Sequence, residues 1–236
     1  MVLDDLSCVI PAGRITAIVG SSGSGKTTLI KLLMGMYPLS GGRISIGDVD
    51  LKQISLRAWR SHCGLVMQDG YLFSDTIEGN IAMMDANVSH ADVVEAARLA
   101  NIAGFIEELP MGYRTLIGQD GHGLSQGQKQ RILIARALCK KPDYLFMDEA
   151  TNALDGVNEA LVIANLKPRF KDKTVVIVAH RLSTVMIADI ILVIHRGKLM
   201  ESGTHDELVS RGGHYHKLIK DQLNLDCRSA MHESPA

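Results

Sequence analysis

Gly20-Ser21-Ser22-Gly23-Ser24-Gly25-Lys26-Thr27-Thr28 is the stretch whose reading decides the fold. Gly20, Gly25, Lys26 and Thr27 fit the P-loop pattern G-x-x-x-x-G-K-[ST]. The run before it, Ile15 to Val19, is short, apolar and β-branched, and predicts a buried strand. The run after it, Thr28 to Gly35, predicts a helix that stops at a glycine. The motif therefore lies between a strand and a helix N-terminus. Glycines let the backbone curl until successive N–H groups face phosphate oxygens, and the helix adds its positive end. Lys26 then reaches the β and γ phosphates of a bound nucleotide, and the Thr27 hydroxyl holds Mg²⁺. The competing reading is a Gly/Ser turn that holds Lys-Thr by chance.

Bulk properties narrow the setting. The 236 residues suit one large domain or two small lobes, and 46% hydrophobic residues suffice for a sizeable core. With 25 basic and 26 acidic residues, the net charge of −1 gives no electrostatic case for a nucleic-acid partner. Cys8, Cys63, Cys139 and Cys227 form no C-x-x-C pair and read as reduced thiols, not a disulfide frame or zinc site. No apolar run reaches the roughly 20 residues of a membrane span, and no signal-peptide pattern opens the chain. The expectation is a soluble chain whose membrane role, if any, comes through a partner.

Hydrophobic patterning sketches the rest. Val2 to Ile10 alternates and reads as a strand, and Arg43 to Ile46 as another, with a hairpin turn at Gly47-Asp48. Leu56 to Arg60 suggests a helical turn, and Cys63 to Met67 a strand ending at Gln68. From about 75 to 139 the pattern is helical. Ser89 caps one helix, Ile102 to Leu109 forms a second, Pro110 to Leu124 is an exposed loop, and Ser125 caps the long helix Gln126 to Lys140. Strands return at Tyr144 to Met147, Thr174 to Val178 and Ile190 to Ile194, with helices at Val157 to Leu166 and Leu182 to Met186. Thr204-His205-Asp206-Glu207 is a capping sequence, and 224–236 reads as a frayed tail. The expected layout is an α/β core over 1–74 and 140–223, interrupted by a helical lobe at about 75–139.

Two further motifs carry chemistry. The apolar strand Tyr144-Leu145-Phe146-Met147 delivers Asp148 and Glu149 to its C-terminal edge, where parallel sheets bind ligands. Asp148 there holds Mg²⁺ directly or through water, and Glu149 orients or deprotonates a water attacking the γ-phosphate. An acidic turn after a strand is the plain alternative. In Leu124-Ser125-Gln126-Gly127-Gln128, Ser125 and the first N–H groups of the following helix make an anion site.

With these residues the chain resembles the ATP-binding cassette family, the ATPase subunits of ABC transporters, whose signature reads L-S-G-G-Q. Gln126 stands where the first glycine usually sits, and Lys129-Gln130-Arg131 follows. The resemblance runs from about Val2 to Leu223. It implies a P-loop NTPase core with a RecA-like parallel sheet, an antiparallel β subdomain and the inserted α-helical subdomain. It also implies ATP and Mg²⁺ as ligands, and two copies that sandwich two ATP molecules head to tail. Lys26, Thr27, Gln68, Asp148, Glu149 and His180 would act from one protomer, and Ser125, Gln126, Gly127 and Gln128 from the other. Gln68 corresponds to the Q-loop glutamine, which reaches Mg²⁺ or the attacking water. Asp155, in Ala153-Leu154-Asp155, corresponds to the D-loop across the dimer, and His180 to the switch histidine on the γ-phosphate.

Phe73 to Ile77, Asn80-Ile81 and His180-Arg181-Leu182-Ser183-Thr184 resemble exporter cassettes. The overall wording is most similar to bacterial peptide or bacteriocin exporters. The implied function is ATP hydrolysis that powers export of a peptide or other hydrophobic or amphipathic substrate. The implied place is the cytoplasmic face of the cell membrane, bound to a transmembrane domain, fused or separate. Exporters carry T-E-V-G-E-x-G where this chain has Thr115 to Gly121, with Leu116 and Gln119 in place of both glutamates. Family members also stack adenine on an upstream aromatic residue that this sequence does not contain. Because stacking contributes about 1–3 kcal/mol, the expectation is weak ATP binding by the isolated chain. Three alternatives stay open: a soluble ABC ATPase, a nucleotide-gated switch with little hydrolysis, and an importer cassette.

Overall fold

The computed structural model describes residues 2–83, 85, 87–118, 121, 123–179 and 181–220. The sequence expectations for Gln119, His180 and the tail 224–236 lie outside the described residues. The chain begins with β1 (Ile15–Val19), α1 (Lys26–Leu33), β2 (Ser45–Ile46), β3 (Val49–Asp50), α2 (Leu56–Ser61) and β4 (Cys63–Val66). A mostly helical stretch follows: β5 (Asp75–Thr76), α3 (Ile77–Ala82), α4 (His90–Leu99), α5 (Ala103–Glu108), β6 (Leu116–Ile117) and α6 (Gln126–Cys139). Then come β7 (Tyr144–Asp148), α7 (Gly156–Arg169), β8 (Thr174–Val178), α8 (Leu182–Val185), β9 (Ile190–His195), β10 (Lys198–Gly203) and α9 (His205–Arg211).

Six strands form one sheet in the order β10-β9-β1-β8-β7-β4. All neighbours are parallel except β10, which runs antiparallel along the edge beside β9. Strand alternation splits the apolar residues between two faces. Ala17, Val19, Met147, Ile177 and Val193 face one core, which also holds Ile132, Ile134 and Val162 of the helices. Ile18, Phe146, Val176, Val178 and Ile194 face the other, against Leu29 and Ile30 of α1, Met34 just after it and Trp59 of α2. Burial on both faces explains why these strands read as continuous apolar runs.

Because the inner strands are parallel, their C-terminal ends share one edge. β1 ends there at Val19 beside Val193 of β9, and β7 ends at Asp148 beside Val178 of β8. Val66, the last residue of β4, pairs with Met147. The far end of α1 is anchored from α2. Trp59 Nε1 donates to Leu33 O at 2.8 Å, Arg60 Nε to Met34 O at 3.0 Å and Arg60 Nη2 to Gly35 O at 2.8 Å. These bonds satisfy carbonyls that a helix C-terminus leaves open, and they put a cation at its negative pole.

Between β4 and β7, α3 and α4 pack on α6. Arg136 of α6 joins the pieces: Nε donates to Asn80 O at 2.8 Å, Nη2 to Asn80 Oδ1 at 2.8 Å and Nη1 to Tyr71 O at 2.7 Å. The same guanidinium lies 5.3 Å from the centre of the Phe73 ring.

Two local expectations need correction. Residues 2–10 form no strand. A strand needs a ladder, and among the described residues this stretch makes one backbone hydrogen bond, from Asp4 N–H to Gly197 O at 3.0 Å. Its alternation instead seats Leu3, Leu6 and Ile10 on the core below α1. The helix expected to stop at Leu166 runs on to Arg169, with Pro168 inside its last turn. Phe170, buried in the core, closes that end by donating its N–H to Leu166 O at 3.0 Å.

Candidate nucleotide site

The loop from Gly20 to Gly25 leaves β1 at the sheet edge and turns into α1. Gly20 has φ of 155°, and a Cβ there would lie 2.0 Å from Ile194 O, so only glycine lets the loop cross β9 this closely. Gly25 caps α1 in the left-handed region at φ 106°, with no side chain bonding to the first turn. The other described helices of eight or more residues all have such a bond, from Ser89 in α4, Ser125 in α6 and Asp155 in α7. Among the described residues the N-terminal amides of α1 are thus left without a side-chain acceptor, as an anion site requires. The buried Ser24 hydroxyl also has no hydrogen-bond partner among the described residues. This cradle fits a phosphate group.

Lys26 lies only 5% exposed inside the loop. Its Nζ donates to Gly20 O at 2.8 Å and Ser21 O at 3.0 Å. Burial pulls its pKa below the ordinary lysine value, while the nearby Glu149 and Asp148 charges oppose that shift. Ser21, Ser22 and Gly23 form the exposed rim. Thr28 follows within the first turn of α1.

Thr27 Oγ1 donates to Asp148 Oδ1 at 3.1 Å, so two of the three expected Mg²⁺ ligands meet. Asp148 is 1% exposed, and burial raises its pKa above the usual carboxylate value. The Thr27 hydrogen bond opposes that rise, and the neighbouring Glu149 charge adds to it. A hydroxyl and a buried carboxylate are hard oxygen donors suited to a small divalent cation.

Glu149 follows at φ 51°, an uncommon left-handed conformation for a residue with a side chain. Its Oε2 accepts from Asn152 Nδ2 at 2.7 Å. Gln68 is exposed two residues beyond β4, the strand paired with β7. The sheet edge therefore gathers the loop, Asp148, Glu149 and the segment that carries Gln68. His180 is outside the described residues.

Ser125, Gln126, Gly127 and Gln128 form the start of α6. Ser125 Oγ accepts from Gln128 N–H at 3.2 Å, and Gln128 Oε1 accepts from Ser125 N–H at 2.9 Å. This reciprocal capping box fixes an exposed helix tip. Gln126 is the first residue of α6 and has no positive φ, so the missing family glycine imposes no backbone strain. Gly127 is the closer fit: a Cβ there would lie 3.2 Å from Ala153 O. Among the described residues Ser125 forms no hydrogen bond to the loop at 20–28. Asp155 caps α7, accepting from Asn158 N–H at 2.9 Å and Asn158 Nδ2 at 2.6 Å. Those hydrogen bonds hold its pKa below the usual value.

Sequence reasoning missed Glu159. It is 1% exposed, and its carboxylate accepts from Thr151, Thr184 and Arg181, the last at 2.8 Å. No local signal marks it: Asp155, four residues earlier on the same helix face, is exposed.

The chain is 48% identical over 222 residues to the ATP-dependent lipid A-core flippase of Chromobacterium violaceum, covering 94% of this chain and 38% of that protein. It is 43% identical over 226 residues to the mitochondrial iron-sulfur clusters transporter ATM1 of Gibberella zeae, covering 95% of this chain and 32% of that one. Among solved structures it is similar to a bacterial Atm1-family ABC exporter with ATP bound, with a TM-score of 0.90 and 42% identity over 94% of this chain and 39% of that chain. The chain thus spans roughly a third of the length of the curated relatives it matches. The family model described as ABC transporter matches residues 3–152, and the chain belongs to that family.

Proposed function

We propose that this chain is the ATP-hydrolysing cassette of an ABC exporter. The observation that carries the proposal is the meeting of Lys26, Thr27, Asp148 and Glu149 at the edge of one parallel sheet, beside a helix start with no side-chain cap. Lys26 would exchange its two loop carbonyls for phosphate oxygens. Thr27 and Asp148, with Gln68, would hold Mg²⁺, which when bound neutralises phosphate charge. Glu149 would orient a water and take its proton. His180 keeps the role that the family resemblance implies.

Ser125, Gly127 and Gln128, with the Gln126 N–H, would close over the triphosphate of a second copy, and Asp155 would lie across that interface. Closing two copies around ATP, and reopening them after hydrolysis, would drive the membrane segments between access states. We propose the boundaries 1–74 with 140–223 for the core and 75–139 for the helical subdomain, with 224–236 as a tail. Among the described residues no helix is long and apolar enough to cross a membrane. The exposed Tyr71 and Phe73 just before the helical part, with Met83, Met111 and Leu116 within it, would instead receive a transmembrane partner, at the cytoplasmic face. The named relatives are a lipid A-core flippase and an iron-sulfur clusters transporter, and neither name mentions a peptide. The cargo we propose is hydrophobic or amphipathic, with peptide as one member of that class.

The test is Glu149→Gln. ATP with Mg²⁺ should shift this variant from monomer to a stable dimer in analytical ultracentrifugation, while turnover nearly vanishes. Wild-type-like ATPase activity would remove Glu149 from its role, and monomers alone would remove the sandwich.

A further inference from the structure

The turn after β7 is one the backbone does not adopt freely. Glu149 sits at φ 51°, and a non-glycine residue stays in that region only when its surroundings over-determine it. Asn152 supplies that constraint twice. Its backbone N–H donates to Glu149 O at 3.2 Å, and its side-chain amide donates to Glu149 Oε2 at 2.7 Å. Asn152 is itself held from Arg181, whose Nη2 donates to Asn152 O at 3.3 Å and whose Nη1 donates to Leu154 O at 2.9 Å.

Arg181 is aimed by Glu159. Nη1 donates to Glu159 Oε2 at 2.8 Å, while the hydroxyls of Thr151 and Thr184 donate to Oε1. Both oxygens of this buried carboxylate therefore have donors, the condition for keeping such a group out of water. A guanidinium presents several donors in a fixed plane and serves a carboxylate and two carbonyls together; an ammonium does not. The chain of contacts runs from the interior of α7, through the segment before α8, to the carboxylate at the sheet edge.

We infer that Asn152 is a positioning residue for the Glu149 carboxylate, and that the ion pair of buried Glu159 with half-exposed Arg181 sets the position of Asn152. The inference rests on the reading of Glu149 as the group that prepares the attacking water. A carboxylate already fixed by a donor amide has less freedom to lose in the transition state, so the effect appears in kcat and not in ground-state binding.

Asn152 is exposed, so Asn152→Ala removes the amide without opening the core. The experiment is steady-state ATPase of the chain and its variants, with Tm and equilibrium nucleotide binding measured alongside. Asn152→Ala is expected to lower kcat about tenfold, with KM for ATP within about twofold and Tm unchanged. Arg181→Lys should lower kcat similarly. The double variant should lose no more than the single ones, because both act through one carboxylate. A kcat for Asn152→Ala at or above wild type overturns the inference, as do losses that multiply in the double variant. Absence of turnover in the wild-type chain sinks the ATPase reading itself; wild-type turnover with an indifferent Asn152→Ala sinks only the positioning role.

Discussion

Thr27 Oγ1 and Asp148 Oδ1 lie 3.1 Å apart, although 121 residues separate them in the chain. The contact exists because α1 begins at the end of β1 and because β8 separates β1 from β7 in the sheet, with all three strands parallel. Parallel order brings both residues to one edge, and burial there makes each the other's hydrogen-bond partner.

That burial has a measurable consequence. Asp148 has a folded pKa raised above 3.8, so the folded chain binds this proton more tightly than the unfolded chain does. A raised acid subtracts stability as pH climbs past the unfolded value, and the loss is complete above the folded one. Asp148→Asn removes the charge. At pH 7, without nucleotide, its Tm should exceed that of wild type, and the gap should close as pH falls below 3.8. ATPase activity should fall by about a hundredfold or more as a metal ligand is lost. Thermal melts across pH check the first expectation; a lower Tm at pH 7 contradicts it.

Lys26 contributes the only side-chain cation seen inside the loop among the described residues, held by Gly20 O and Ser21 O. Lys26→Ala should abolish saturable binding of a fluorescent ATP analogue. Binding unchanged from wild type would contradict the assignment of the loop to phosphate.

Ser125→Ala removes one half of the capping box on α6, which should lower stability by about 1 kcal/mol in urea unfolding. Turnover should fall, while nucleotide binding to the monomer should not change. Gln126→Gly restores the residue usual in the family. Since Gln126 already has helical geometry, the glycine should relieve nothing and should lower stability by about 0.5 kcal/mol. A gain in stability would show strain at this position.

Asp92 of α4 titrates far from the site. Its hydrogen bond with Lys141 and those from Ser89 depress its pKa from 3.8 to about 2. A depressed acid adds stability above the unfolded value and loses it as pH falls through the folded one. The Tm difference between wild type and Asp92→Asn should therefore be full above pH 3.8, shrink below it and vanish under about pH 2. A constant difference across that range would show that the Lys141 and Ser89 contacts do not depend on ionisation.

Much of the fold was legible because its signals are local. Apolar runs marked β1, β7, β8 and β9, and Ser89, Ser125 and Thr204 marked helix starts that all proved to be capping boxes. The loop at 20–28 was legible because its chemistry resides in backbone curl and one lysine. Val2 to Ile10 was misread for a physical reason: alternation records which side is apolar, not whether a neighbour completes a ladder. Arg60, Arg136 and Glu159 carried no local mark at all. Each is an ordinary charged residue until distant carbonyls or hydroxyls come within reach.

Taken alone, then, the order of residues determined which groups this protein owns: a phosphate-cradling turn, an acidic pair at a strand end, and a serine at a helix tip. Only the tertiary structure decided which of them meet. It set Thr27 on Asp148, left the start of α1 without a side-chain cap, and braced the turn at Glu149 from Arg181 and the buried Glu159. The reason is that backbone propensity and hydrophobic period act over a few residues, whereas a hydrogen bond in the interior depends on the packing of segments that the chain brings together only when the sheet closes.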